Sequence, residues 1–192
     1  MHTVIIMSHP YKKSYNYAIL ENIKNALENN NETFEIIELV DDGFDPVMRS
    51  EDLALYNKGE ANDPLVVKYQ EIINNADKLM FIFPIWWGGM PSILKGFIDK
   101  VLLKNFSFKI ESGKVVGTLD FLKRTLVITT SSRTNNTLIN KWGDPIGTTL
   151  VKSTFEVIGI DDMEWINFES ISSSDLESRE QFLEAIKKVV IN

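Results

Sequence analysis

The sequence predicts an α/β fold: a doubly wound, five-stranded parallel sheet in the order 2-1-3-4-5 with helices on both faces, formed by residues 1–192 as one domain. Three observations predict it. Five short apolar runs alternate with five stretches of helical periodicity, which is the pattern of strands joined by helical crossovers. Most of the helical stretches open on a capping or proline signal. The length of 192 residues suits one unit with a substantial core.

The first strand is read at Thr3–Ser8, and Ser14 caps a helix whose apolar stripe is Ala18 or Ile19, Ile23, Ala26 and Leu27. The second strand is Phe34–Leu39. The irregular stretch from Asp41 to Asn62 is longer than a usual connection and reads as a functional or partner-facing excursion. Asp63 then caps a helix with Pro64 at its first position, running through Val66, Tyr69 and Ile73. A third strand, Lys78–Phe83, stops at Pro84. Two tryptophans and two glycines follow, and Pro91 opens the stripe Ile93, Phe97, Ile98, Val101 and Leu102. The fourth strand is Thr125–Thr130. Asp144-Pro145 opens a helix that Gly159 closes. After a fifth strand at Glu164–Phe168, Ser174 to Glu177 reads as a capping box for a last helix through Leu176, Leu183, Ile186 and Val190. Arg179 lies on that same stripe, either as a snorkelling stem with a wet head or as a charge beside a phosphate or an adenine.

Composition narrows the function. A formal charge of −7 disfavours nucleic acid and anionic membrane surfaces. With no cysteine there is no disulfide, thiol chemistry or thiolate metal site, and the two histidines lack metal-ligand spacing, so no metal is expected. No apolar run approaches the roughly 20 residues of a membrane span. No signal-peptide pattern precedes the first strand, so a cytoplasmic protein is expected.

In such a sheet, ligands bind beyond the carboxyl ends of the strands where the strand order reverses. The loops after strands 1, 3 and 4 are therefore expected at one rim: His9–Asn16, Pro84–Gly89 and Thr129–Thr137. The first runs into a helix N-terminus, which favours a phosphate, with His9, Lys13, Ser14 and Asn16 as contributors; the plain alternative is a capped turn with solvated lysines. Neither a G-x-G-x-x-G nor a Walker lysine motif is present. In the second, Trp86 or Trp87 can lie against a flat ring while backbone N–H groups meet its polar edge; the alternative is two core or dimer-contact tryptophans. The third is polar after an apolar strand, and Arg133 can attract an anion there.

These residues resemble the NAD(P)H:quinone oxidoreductase family, the DT-diaphorase-like flavoproteins of flavodoxin-like fold, whose bacterial relatives include modulator of drug activity B. The likeness runs through Ser8-His9-Pro10 to Ala18, Phe44-Asp45-Pro46, Phe83 to Leu102, Thr129-Thr130 and Gly143-Asp144. The segment Pro-Ile-Trp-Trp-Gly-Gly-Met-Pro at 84–91 is its most specific part. The resemblance implies flavin-phosphate contacts at His9, Lys13, Ser14, Tyr15 and Asn16. Isoalloxazine contacts would fall at Pro84, Ile85, Trp87, Gly88, Thr129, Thr130 and Ser131, beside the Trp86 read above as a cofactor-binding candidate. Arg179 matches an arginine near the adenylate half of FAD, and that match, with the long Asp41–Asn62 excursion, favours FAD, with FMN possible. It also implies a homodimer in which Asn105 to Phe108 forms a wall of the partner's site, with Phe106, Phe108 and Trp142 facing the substrate.

The sequence departs from that family at several places. Ser131 and Ser132 stand where members carry glycines. Asn136 or Thr137 stands near a family tyrosine, Trp142 near a family histidine, and Phe108 and Ile110 where the wall carries tyrosines. No acid–base residue is therefore assigned. The implied activity is ping-pong transfer of a hydride from NAD(P)H through flavin N5 to quinones or similar flat electrophiles. Trp87, Gly88, Gly89 and Thr130 would steady the charge on the ring. Azo or nitro reduction is a substrate variant. A flavodoxin-type electron carrier and an ancillary subunit of an ion transporter are the alternatives from other classes.

Overall fold

Five of the strands pair in parallel, and their side chains alternate between two apolar layers. The structure, a computed structural model, describes residues 1–191. The strands are β1 (His2–Met7), β2 (Thr33–Glu38), β3 (Lys78–Pro84), β6 (Arg124–Thr130) and β7 (Met163–Phe168), and they lie in the order β2-β1-β3-β6-β7. This is the predicted 2-1-3-4-5 arrangement, because the intervening β4 (Phe108–Glu111) and β5 (Lys114–Gly117) form a separate antiparallel hairpin. Register is set across the centre by Ile5 opposite Ile36 and Met80, Phe81 opposite Val127, and Ile128 opposite Ile166.

The helices are α1 (Tyr15–Asn29), α2 (Ser50–Tyr56), α3 (Pro64–Asn74), α4 (Ser92–Val101) and α5 (Leu176–Val190). On one face, Met80, Ile82, Leu126 and Ile128 pack with Ile19, Ile23 and Leu27 of α1 and Ile186 and Val190 of α5. On the other, Leu79, Phe81, Phe83 and Val127 pack with Tyr69 of α3, Phe97 of α4 and Phe155. β3 is buried on both faces, which is why it reads as a continuous apolar run rather than an alternating one.

Ser14 and Asp63 cap α1 and α3 through their side chains, as their sequence signals predict. The start of α5 differs by one residue. Asp175, not Ser174, is the cap, accepting from the Ser178 N–H, and Leu176 is exposed at the helix start. The helix expected from Pro145 to Gly159 is a π-helix over Ile146–Phe155 followed by a 3-10 turn over Glu156–Ile158, closed by Gly159 at φ 92°. A further π-turn, Thr137–Lys141, precedes it.

The 41–62 excursion is fastened to α4. A side chain on Gly96 would lie 2.3 Å from Pro46, so only glycine permits this approach. Lys100, nearly fully buried, donates to the Asp45 carbonyl at 3.1 Å and lies 3.6 Å from Asp52 and 3.7 Å from Asp63. Phe44 is buried between Tyr69 and Phe97.

Candidate active site at the carboxyl ends of three strands

β1, β3 and β6 are neighbours, so the loops that leave their carboxyl ends emerge side by side. Three contacts join them. The His9 and Trp86 rings sit 5.9 Å apart, the Ile85 N–H donates to the Thr130 carbonyl at 2.8 Å, and the Thr130 hydroxyl donates to Asn16 Oδ1 at 2.9 Å. Between the second and third loops opens a cleft of about 700 Å³, within the range of a small-molecule site, while Lys13 and Ser14 of the first loop line a separate groove with Lys12 and Tyr17. Ile85 to Gly88 line one side, Ser131 to Arg133 another, and Leu138 and Trp142 the far wall. Leu138, inside the π-turn, has no sequence signal that distinguishes it from a core leucine.

The tryptophan turn is built tightly. Trp86 and Gly89 exchange both backbone bonds, at 2.9 and 3.0 Å, and Trp87 and Gly88 between them have φ of 52° and 79°. Two successive positive φ values make this a type I′ turn, which holds a tryptophan in a region that costs a non-glycine residue about 1–3 kcal/mol. Trp87 is 105% exposed and Trp86 47%, so neither is a core residue of this chain. The Gly89 N–H is used inside the turn, so the donors it presents are the Trp87 and Gly88 N–H groups, which have no partner among the described residues. A side chain on Gly89 would meet nothing within 4 Å, and one on Gly88 would sit 3.7 Å from the Trp142 ring. No packing within the chain demands Gly89, leaving room for a flat ligand.

At the start of α1, the Ser14 side chain accepts from the Tyr17 N–H at 3.4 Å, while the Tyr15 and Asn16 N–H groups have no partner among the described residues. Lys12 is paired with Glu38 and Asp41 and lies over the Tyr17 ring. That leaves Lys13 as the unpaired cation among the described residues of this loop. The His9 Nδ1 accepts from the Tyr11 N–H at 3.0 Å, which puts the ring proton on Nε2. Burial holds the His9 pKa below its usual value, so the ring is neutral near pH 7 and serves as a donor rather than a charge. The N–H groups, the Ser14 hydroxyl and the Lys13 ammonium give the start of α1 donors of the kind that bind a phosphate. The Tyr15 hydroxyl is bonded to the Arg179 carbonyl at 2.6 Å, and burial pushes its pKa up to about 12.

The third loop differs most from the sequence expectation. The Thr129 hydroxyl donates to Asn167 at 2.8 Å and accepts from the Trp165 indole at 2.9 Å, so it faces β7. The Thr130 hydroxyl is spent on Asn16, and Ser131 donates to the Arg133 carbonyl at 2.6 Å. All three side chains are buried. They brace the loop, and Thr130 is not a free donor for a charged ring. Asn167 and Trp165, which hold Thr129, lie far along the chain from it and carry no local signal.

Arg179 is likewise occupied. Its guanidinium donates to Ser174 at 2.9 Å and to the Ile171 carbonyl at 3.1 Å, and it lies 5.8 Å from the Tyr15 ring. It therefore ties the segment before α5 to α1. The guanidinium read as favouring an adenylate half is thus tied into its own chain. Phe106 packs against the main core, and Phe108 lines a smaller groove with Ile98, Leu102 and Val157. Neither lines the cleft of its own chain; Trp142 does. Among the described residues no group of three or more His, Asp or Glu is placed to hold a metal, and no helix is long and apolar enough to cross a membrane.

Comparison with known proteins agrees with this geometry. Residues 1–190 match a family model described as the flavodoxin-like fold. A Haemophilus influenzae protein named as an uncharacterized NAD(P)H oxidoreductase is 28% identical over 185 residues, covering 96% of this chain and 91% of that one. NAD(P)H dehydrogenase (quinone) 1 of Cavia porcellus is 30% identical over 143 residues, 66% of this chain and 52% of that protein, so the match spans about half its length. The FMN-dependent NADH:quinone oxidoreductase of Coprothermobacter proteolyticus is 25% identical over 174 residues, 88% of this chain and 86% of that one. The crystal structure of Smu.1420 from Streptococcus mutans superposes with a TM-score of 0.87 at 28% identity, covering 100% of both chains.

Proposed function

The chain belongs to the flavodoxin-like fold family and is an oxidoreductase; from that premise we propose that it binds a flavin and uses NAD(P)H to reduce quinones or similar flat electrophiles. The observation that carries this reading is the cleft itself, where three tryptophans and two N–H groups without a partner among the described residues line a space of small-ligand size, with Trp86 5.9 Å from the His9 ring of the loop that leads into α1. The flavin is FMN in this reading. The curated relative from Coprothermobacter is named as FMN-dependent, and Arg179 is tied into its own chain.

When bound, the flavin would supply a carrier for two electrons between donor and acceptor. NAD(P)H gives up two electrons and one proton, and the acceptor gains two electrons and two protons, the second from water. The residues bind and orient. The α1 N-terminus, Ser14 and Lys13 take the phosphate. The Trp87 and Gly88 N–H groups meet the polar edge of the ring, where negative charge is best held by fixed dipoles. The tryptophans exclude water from its face. The homodimer, with Phe106 and Phe108 completing the partner's cleft, is part of the same proposal. It would give the exposed Trp87 a covering and account for two aromatic residues that do not reach their own site.

The test is reconstitution. Purified protein is incubated with FMN or with FAD, and the bound chromophore is identified by mass. The flavin absorbance is then followed on adding NADH or NADPH and afterwards menadione. Retention of FMN, bleaching by the nicotinamide and recovery with menadione are expected. Protein that binds neither flavin ends the proposal. No bleaching by NADH or NADPH, together with a stable one-electron form on stepwise dithionite reduction, would move it to an electron carrier.

A further inference from the structure

We propose that Arg133 determines acceptor specificity and selects flat aromatic acceptors that carry an anionic substituent, a sulfonate or a carboxylate, over neutral ones; this rests on the flavin-oxidoreductase reading above. Arg133 is the one charged residue among those lining the cleft, whose other walls are aromatic, aliphatic, glycine or serine. No carboxylate pairs with it among the described residues. Arg133 is exposed, and its guanidinium lies 5.9 Å from the Trp142 ring, a cation–π distance that places it beside the far wall of the cleft. Its backbone is fixed as well, since its carbonyl accepts from Ser131 Oγ at 2.6 Å and from the Ser170 N–H at 3.4 Å. Glu169, the nearest acid in sequence on β7's outgoing loop, is engaged with the Asn135 N–H.

The contrast with the rest of the chain gives the arrangement its meaning. A protein with a formal charge of −7 repels anions over most of its surface, yet this cleft presents a cation whose donors are uncommitted among the described residues, beside stacking surfaces. A planar guanidinium matches a carboxylate or sulfonate through two parallel bonds, and the tryptophans match the ring that carries it. A neutral quinone uses only the second of these.

The experiment compares the flavin-loaded wild type with Arg133→Gln and Arg133→Lys. Two readouts are taken: the ratio of kcat/KM for anthraquinone-2-sulfonate to that for menadione, and the Kd of anthraquinone-2-sulfonate from tryptophan fluorescence quenching without any nicotinamide. Arg133→Gln is expected to lower the ratio and raise the Kd by about tenfold. That lies between the about fivefold of an exposed ion pair and the about hundredfold of a charge-assisted bond shielded from water. Arg133→Lys should recover part of both, and the effect should shrink as salt rises. A ratio and a Kd unchanged within about twofold overturn the proposal. So does a shift of the flavin midpoint potential with both acceptors affected alike, because Arg133 would then serve the flavin. If the wild type fails to oxidise NAD(P)H, the enzymatic reading falls, while the fluorescence Kd still decides the role of Arg133.

Discussion

Replacing Trp87 by alanine and, separately, by glycine isolates the strain stored in the tryptophan turn. The side chain is fully exposed in the chain, at 105%, so truncation to alanine removes no area buried within the chain, and any area covered by a partner is lost equally in both variants. Alanine keeps the penalty of φ near 52°, about 1–2 kcal/mol for a residue with a Cβ. Glycine releases it but adds about 0.4–1 kcal/mol of unfolded-state entropy. Trp87→Gly should therefore be more stable than Trp87→Ala by about 0.5–1 kcal/mol, which is a rise in Tm of about 1–4 °C for a chain of this length. Urea unfolding of the flavin-free variants at pH 7 measures the difference directly. Both variants lose the stacking face and should bind FMN about three- to tenfold more weakly, the worth of one aromatic contact. A glycine variant no more stable than the alanine variant would refute the type I′ geometry and the strain argument with it.

Two further outcomes are expected. Lys100→Ala leaves Asp52, Asp63 and the Asp45 carbonyl without their shared cation and should cost about 2–4 kcal/mol, with faster amide exchange across 45–56; Lys100→Met, which keeps the apolar stem, should cost less. Urea midpoints and hydrogen exchange report both. Asp77 is held below the usual carboxylate pKa by the Lys123 ammonium and then by the His2 N–H. A depressed folded pKa stabilises above the unfolded value and is lost as pH falls through the folded one. Asp77→Asn should therefore flatten the loss of stability between pH 5 and pH 2, read from urea midpoints across that range, and an unchanged slope would show that the pair contributes nothing.

The five parallel strands were legible because each repeats an apolar pattern over several residues, and a buried central strand such as β3 runs apolar from Leu79 to Pro84 after its opening lysine. The capping serine of α1 and aspartate of α3 were legible for the same local reason. The β4–β5 hairpin was not. Its strands are four residues long and mostly exposed, so no apolar pattern marks them, and its turn is made by Ser112 and Gly113 at positive φ. The π-helical geometry was equally hidden, since π and α periods are too close to separate over ten residues.

The candidate site divides along the same line. Which loops meet, and that they meet beyond the strand ends, follows from alternation and crossover handedness, both properties of short stretches of chain. Which hydroxyls remain free in those loops was decided only by folding. The partners of Thr129 and Thr130 are Asn167, Trp165 and Asn16, brought next to them by strand pairing and by the packing of α1. Residue types and their spacing determine the place where a ligand can sit. The side chains left to hold it are those whose hydrogen bonds are not taken by neighbours distant in the chain, and only the tertiary structure selects those neighbours.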